Sequence, residues 1–146
     1  MIRPDPMRPR VLLVGDGGGI ATLVSLAAGM RAQPGNAWKP LVLLGSETPF
    51  PFKPRPSTIL VPGIPAGVIA AVPELDSCGV PSRLASKAEL PGCYDGCVAQ
   101  LADEWLGGLD AVAKDAVQVF CCGPAATLEA MAKIAAKHGV PCQILG

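Results

Sequence analysis

The stretch RVLLVGDGGGIATLVSLAAGMR, Arg10 to Arg31, limits what this chain can become more than any other. Val11, Leu12, Leu13 and Val14 form an apolar run that breaks into a glycine cluster and resumes as an apolar helix, the order of strand, glycine loop and helix. An uninterrupted apolar strand is a strand covered on both faces, which points to a parallel sheet between helices. Gly15, Gly17, Gly18 and Gly19, with Asp16 among them, accept a tight turn and let backbone lie against a ligand. The unpaired N–H groups of a helix starting near Ile20 favour an anion, for which a nucleotide pyrophosphate is the natural guest. The spacing departs from G-x-G-x-x-G, since the third glycine position falls on Ile20 or Thr22. The loop alone therefore fits a nucleotide site or a plain connector.

The rest of the chain repeats the alternation. Gln33 to Asn36 reads as a turn, Leu41 to Leu44 as a second buried strand ending at Gly45, and Ser57 to Val61 as a third strand. Ala66 to Val72 reads as a short helix and Val80 to Ser86 as a fourth strand. Cys97 to Leu109 follows as an amphipathic helix with Val98, Leu101, Ala102, Trp105 and Leu106 on one face. Val117 to Cys121 is a fifth strand, and Gly123-Pro124 turns into a helix from Ala125 to Lys137 whose apolar side carries Leu128, Met131, Ala132 and Ala135. Gly139 closes that helix, and Val140 to Leu145 is a last short strand. The fold expected is α/β, a three-layer sandwich with a parallel sheet of five or six strands. A ligand then lies at the carboxyl ends of the strands, where Gly15 to Gly19, Gly45 to Glu47, Ser86-Lys87 and Cys122-Gly123-Pro124 converge.

Two segments fall outside this rhythm. Met1 to Pro9, rich in proline and arginine, reads as a linker or exposed arm ahead of a single domain over 10–146. Thr48 to Pro56 holds four prolines and two phenylalanines in nine residues, so it is extended, with Phe50 and Phe52 tucked into the core or facing a partner.

Half the residues are hydrophobic, and twelve basic residues balance twelve acidic ones. No basic stripe invites nucleic acid, and no apolar run reaches membrane-spanning length, so a cytoplasmic location is expected with neither partner. Six cysteines at 78, 93, 97, 121, 122 and 142 read as reduced, buried thiols. Cys93 and Cys97 lack metal-ligand spacing, and no metal is expected. His138, the single histidine, ends a helix beside Lys137, where its charge suits the helix dipole, and it has no catalytic part.

Two landmarks together resemble the pyridine-nucleotide domain of the ferredoxin–NADP reductase superfamily. One is the glycine loop; the other is VFCCGPAATLEAM from Val119, similar to that family's hydrophobic-C-G-P-x-x-M signature about a hundred residues further on. Gly92 to Val98 resembles the family's G-x-x-G-x-V with one residue more, and the closing GVPCQIL resembles the segment before the iron–sulfur cysteines of the dihydroorotate dehydrogenase electron-transfer subunit. The resemblance implies a Rossmann-like, NAD-linked domain in which Gly15, Asp16, Gly17, Gly18, Gly19 and Ile20 hold the pyrophosphate of NAD or NADP. It implies that Cys122, Gly123 and Pro124 line the nicotinamide for hydride transfer, with Cys122 in the catalytic position. Ser86 and Lys87 fall where the family meets the adenosine ribose or its 2′-phosphate; Lys87 fits NADP or a solvated surface charge equally well. Glu47 would suit a ribose hydroxyl in a standard dinucleotide fold.

The departures are Ala21 and Thr22 in place of the family's prolines, and Thr127 in place of its methionine. FAD and a 2Fe-2S cluster are expected only on other domains or partner chains, so the chain reads as part of an NAD(P)H–flavin oxidoreductase that is incomplete alone. An alternative is a non-catalytic interaction module on a degenerate reductase fold, docking another protein through the Pro-Phe arm. A thiol switch through Cys121-Cys122 or Cys93 and Cys97 is a third reading.

Overall fold

A computed structural model describes residues 5–32, 38–46, 50–88 and 90–145. The expected turn at Gln33 to Asn36 and the residue Glu47 lie outside them. Strand β1 (Arg10–Asp16) leads through a 3-10 turn (Gly17–Gly19) into α1 (Ile20–Ala32), and β2 (Lys39–Gly45) follows. Then come β3 (Arg55–Pro56), β4 (Ala70–Ala71), α2 (Pro73–Ser77), β5 (Ser82–Ser86) and β6 (Tyr94–Asp95). The chain closes with α3 (Val98–Gly107), α4 (Ala111–Asp115), β7 (Val117–Cys122), α5 (Ala125–His138) and β8 (Cys142–Ile144).

Six strands form one parallel sheet in the order β6-β5-β2-β1-β7-β8. The first strand is thus central, and the order of strand addition reverses there, with β2, β5 and β6 on one side and β7 and β8 on the other. Alternate residues of β1 face opposite layers: Val11 and Leu13 join α1 and Leu75 of α2, while Leu12 and Val14 join α3 and α5. All four are at most 1% exposed, so each adds about 1.5–3 kcal/mol of apolar burial. On α3 the predicted face is the buried one, and Gly139 caps α5 in the left-handed region at φ 69°.

Several expectations are corrected. Ser57 to Val61 is not a strand: Ser57 and Thr58 donate their hydroxyls to the Asp76 carboxylate, and the Ile59 carbonyl accepts from the buried Arg83 guanidinium. Side chains thus take up polar groups that a ladder would have used. Pairing instead occurs just before it, where Arg55–Pro56 meets Ala70–Ala71 antiparallel in a separate ribbon. Ala66 to Val72 is not a helix, because Gly67 at φ 90° follows Pro65; the helix forms one step later, with Pro73 in its first turn. Tyr94–Asp95 supplies the sixth sheet strand and Ala111–Asp115 an extra helical turn, capped by Asp110. On α5, Ala132 is exposed and Ile134 packs in its stead, since position 132 lies a full step around the helix from Met131. Cys78 is an exposed thiol at the end of α2, not a buried one.

Phe50 is buried in the α1 layer and stacks on Phe52 with ring centroids 5.3 Å apart, so the first of the two expected placements holds for it. Residues 5–9 are tied to β7: Gln118, 5% exposed, accepts from the Asp5 amide and donates to the Asp5 and Arg8 carbonyls.

His138 does more than meet a dipole. Its Nε2 lies 2.6 Å from Asp103 on α3 and its Nδ1 lies 3.2 Å from Lys114 Nζ on α4. Hydrogen bonds from Lys137 and His138 hold the Asp103 carboxyl below its usual value of 3.8. A depressed carboxyl contributes stability above the unfolded value, and that contribution goes as pH falls through the folded one. Asp103→Asn is expected to lower stability at neutral pH by about 0.5 kcal/mol, solvent screening keeping the effect small, and to make progressively less difference as the pH falls through and below the folded carboxyl's lowered value. Urea denaturation of both chains across a pH series from neutral into the acid range checks this.

Candidate functional site

At the carboxyl ends of the strands lies a cleft of about 510 Å³, walled by Asp16 and Gly17 after β1, Ser46 after β2, Lys87 after β5, Cys97 before α3, and Pro124, Ala126 and Thr127 at the start of α5. A recess of about 30 Å³ continues it between β2 and β5, sharing Asp16, Ser46, Lys87 and Cys97. The glycine turn that leads into α1 and the amino ends of α3 and α5 abut this space, and with the Lys87 ammonium they favour negative charge there, although at α3 the Cys97 amide is already taken by Gln100 Oε1. Asp16 is the sole carboxylate on the wall among the described residues, and Thr127 Oγ1 donates to it at 2.9 Å.

Close backbone packing builds the floor. A Cβ on Gly19 would stand 2.7 Å from the Cys122 carbonyl oxygen, and one on Gly123, at φ 155°, would stand 3.1 Å from the Asp16 carbonyl oxygen. Only glycine lets the ends of β1 and β7 meet this closely. Gly45 does the same under α3, where a Cβ would be 2.8 Å from Val98 Cβ. Gly17, at φ 56°, and Gly18 have no atom within 4 Å of such a Cβ, so their outer side is open to a ligand.

Of the residues singled out from sequence, Asp16, Gly17, Lys87 and Pro124 stand on the cleft wall. Gly18 flanks it, while Gly15, Gly19 and Ile20 support the loop from below, Ile20 being 3% exposed. Ser86 is 2% exposed, and its Oγ accepts from the Ala88 amide at 3.1 Å, shaping the turn that presents Lys87. Cys122 is half-buried among the α1-side residues, its Sγ 2.9 Å from where a Gly19 Cβ would be. Cys97, Ala99 and Ala126 on the wall were not anticipated. The available signal was positional, because each begins a helix that follows a strand.

Cys121 Sγ lies 3.7 Å from Cys142 Sγ on the neighbouring strand, away from Cys122. Its hydrogen bond with Cys142 and its burial push the Cys121 thiol up, and the same bond pulls Cys142 down. Burial pushes the Cys93 thiol up. No group of three or more His, Cys, Asp or Glu residues suited to a metal occurs among the described residues.

The sequence matches no protein-family profile and no curated protein. Two solved structures superpose on 97% of the chain: a ferredoxin reductase in carbazole 1,9a-dioxygenase, in its FAD-apo form, at TM-score 0.55, and the C-terminal domain of a hydrogenase from Pyrococcus furiosus, at TM-score 0.57. The fold is ferredoxin reductase-like. Each comparison is 17% identical, and the chain spans 33% of the carbazole reductase and 95% of the hydrogenase domain. The ferredoxin reductase-like sheet places its order reversal at β1, so the glycine loop and the start of α5 flank the crevice where such sheets take ligands. No described helix is long and apolar enough to cross a membrane.

Proposed function

We propose that this chain is the pyridine-nucleotide module of a flavin-dependent reductase or electron-transfer subunit. The observation that carries the reading is the meeting of the glycine turn, the amino ends of α3 and α5, and Lys87 around one cleft at the carboxyl ends of a parallel sheet. The cleft's volume lies within the range of about 300–1,000 Å³ usual for small-ligand sites. A dinucleotide fits its chemistry: the loop at Gly17 and Gly18, whose outer side is open, meets the pyrophosphate, Lys87 meets the adenosine ribose or its 2′-phosphate, and the Cys122-Gly123-Pro124 turn borders the nicotinamide. Bound there, a reduced nicotinamide supplies hydride to a flavin carried on another domain or chain. The polypeptide's own part is to orient the cofactor and to meet its phosphates with dipoles rather than mobile water. Cys122 acts through the position of the turn, its thiol being turned toward Gly19.

One fold neighbour is a ferredoxin reductase in carbazole 1,9a-dioxygenase, and a comparable role, passing electrons on to another protein, is the part of the proposal that this likeness supports. The link to a dihydroorotate dehydrogenase-type subunit with a 2Fe-2S cluster rests on the GVPCQIL ending alone. The interaction-module alternative loses Phe50 as an exposed contact.

Titration of the purified chain with NADH and NADPH by calorimetry tests the proposal. Saturable binding of at least one at micromolar to sub-millimolar affinity is expected, with hydride transfer appearing only when a flavin domain is added; no binding of either at millimolar concentration removes it. If NADPH is preferred, Lys87→Ala weakens NADPH by about tenfold and leaves NADH unchanged. Asp16 carries the one negative charge on the wall, so Asp16→Asn is expected to tighten nucleotide binding by roughly tenfold.

A further inference from the structure

A second cavity, of about 490 Å³, lies at the other end of the sheet, against the amino ends of β1 and β2. Among the described residues its wall carries three cations, Arg10, Arg31 and Lys39, and no acidic residue. The chain as a whole is neutral, so this concentration of charge is local. Arg10 and Lys39 are direct partners in the register of β1 and β2, which sets two like charges side by side where neighbouring strands usually avoid them. Arg31, in the last turn of α1, lies over Gly79, with its Nε 3.5 Å from where a Gly79 Cβ would be. The only ion pairs among the described residues are those of Asp103 with Lys137 and His138, so no described carboxylate neutralises this trio.

The remaining wall is aromatic and apolar. Both tryptophans of the chain, Trp38 and Trp105, line the cavity, as does the 60–62 segment, whose Leu60 is 87% exposed. The Arg10 guanidinium already lies 5.4 Å from the centroid of the Trp105 ring, which orients it at the cavity edge instead of leaving it free in solvent. Cations without a described carboxylate partner, beside a wall that includes two indoles, suit a ligand with a planar ring for the apolar wall and negative oxygens for the charges.

The geometry points to a binding site for a small aromatic carboxylate at the amino end of the sheet, separate from the nucleotide cleft. The three cations hold the carboxylate oxygens, and the ring lies against Trp38 and the 60–62 segment. No chemistry is implied there, because the wall holds no nucleophile or general base. The inference stands whether or not the nucleotide proposal does, since the two sites share no residue.

The test is a titration of the full chain with isophthalate, followed by calorimetry and by the two tryptophan indole N–H signals in NMR. Its dimethyl ester serves as a ring without charge, and inorganic phosphate as a charge without ring. Isophthalate is expected to bind saturably and to shift both indole signals, with the ester and phosphate each at least about tenfold weaker. The double substitution Arg31→Ala and Lys39→Ala changes two exposed side chains; it should keep the melting temperature and weaken isophthalate by about tenfold or more. Gly18→Ala, on the nucleotide loop, should leave isophthalate binding unchanged, which separates this result from any failure at the other site. The inference is overturned by the absence of a saturable shift at millimolar isophthalate, by equal binding of the ester or of phosphate, or by a folded double variant that binds like the parent.

Discussion

A Gly19→Val chain is expected to bind no nucleotide and to lose about 3 kcal/mol of stability. A Cβ at this position would lie 2.7 Å from the Cys122 carbonyl oxygen and 2.9 Å from its carbonyl carbon, and both are backbone atoms. They cannot withdraw, because β7 is held in register by β1 on one side and β8 on the other. The 3-10 turn must therefore lift away, carrying the first turn of α1 with it. That displaces the amides on which the nucleotide proposal relies. Gly18→Ala separates the two consequences. Nothing lies within 4 Å of its Cβ, so stability should change by no more than about 0.5 kcal/mol, while the added methyl occupies the open side of the loop and weakens nucleotide by about tenfold. Gly17→Ala is intermediate: its φ of 56° penalises a side chain by roughly 1–2 kcal/mol with no clash. Urea denaturation and NADH titration of the three variants provide the comparison. A Gly18→Ala chain that binds nucleotide like the parent would detach the loop from the site.

The parts of the fold that were legible in the sequence are those whose burial is symmetric. Strands β1, β2 and β7 are covered by helices on both faces, so their apolar runs stand out without any need for alternation, and they set the centre of the sheet. Helices α3 and α5 were legible because one face of each carries its buried residues. What escaped has no such pattern. Strands β3, β4 and β6 are two residues each, too short to show a period. Ser57 to Val61 has the composition of a strand, but its polar groups are claimed by Asp76 and Arg83, both remote in sequence. The cleft at the carboxyl ends of the strands was half visible. Glycines and the Cys-Gly-Pro turn mark where chains must approach closely, whereas Cys97 and Ala99 reach the wall only because β6 places the start of α3 there. The cavity at the amino end was invisible, since Arg10, Arg31, Lys39 and Trp105 come from four separate elements.

Phe120→Ala is expected to be the most damaging single change to the core, at about 3–5 kcal/mol. Phe120 is 1% exposed in the middle of β7, beside Leu13 of β1 and Gln143 of β8, with its ring in the α1 layer. Removing the ring forfeits its transfer energy and leaves a void that the laddered strands cannot close. A domain of this size has roughly 5–15 kcal/mol of net stability, so the variant stands close to unfolding. Phe120→Leu keeps most of the volume and should lose much less. The position also ties stability to function, because β7 ends in the Cys122-Gly123-Pro124 turn beside the cleft. If nucleotide binds only the folded chain, then at a hundredfold excess over its Kd it should restore about 2.7 kcal/mol to the Phe120→Ala chain. Thermal melts with and without NADH read this directly. Restoration in the Phe120→Ala chain but not in Gly19→Val would assign the first residue to scaffold and the second to the site; equal restoration in both would mean that nucleotide does not depend on the glycine loop.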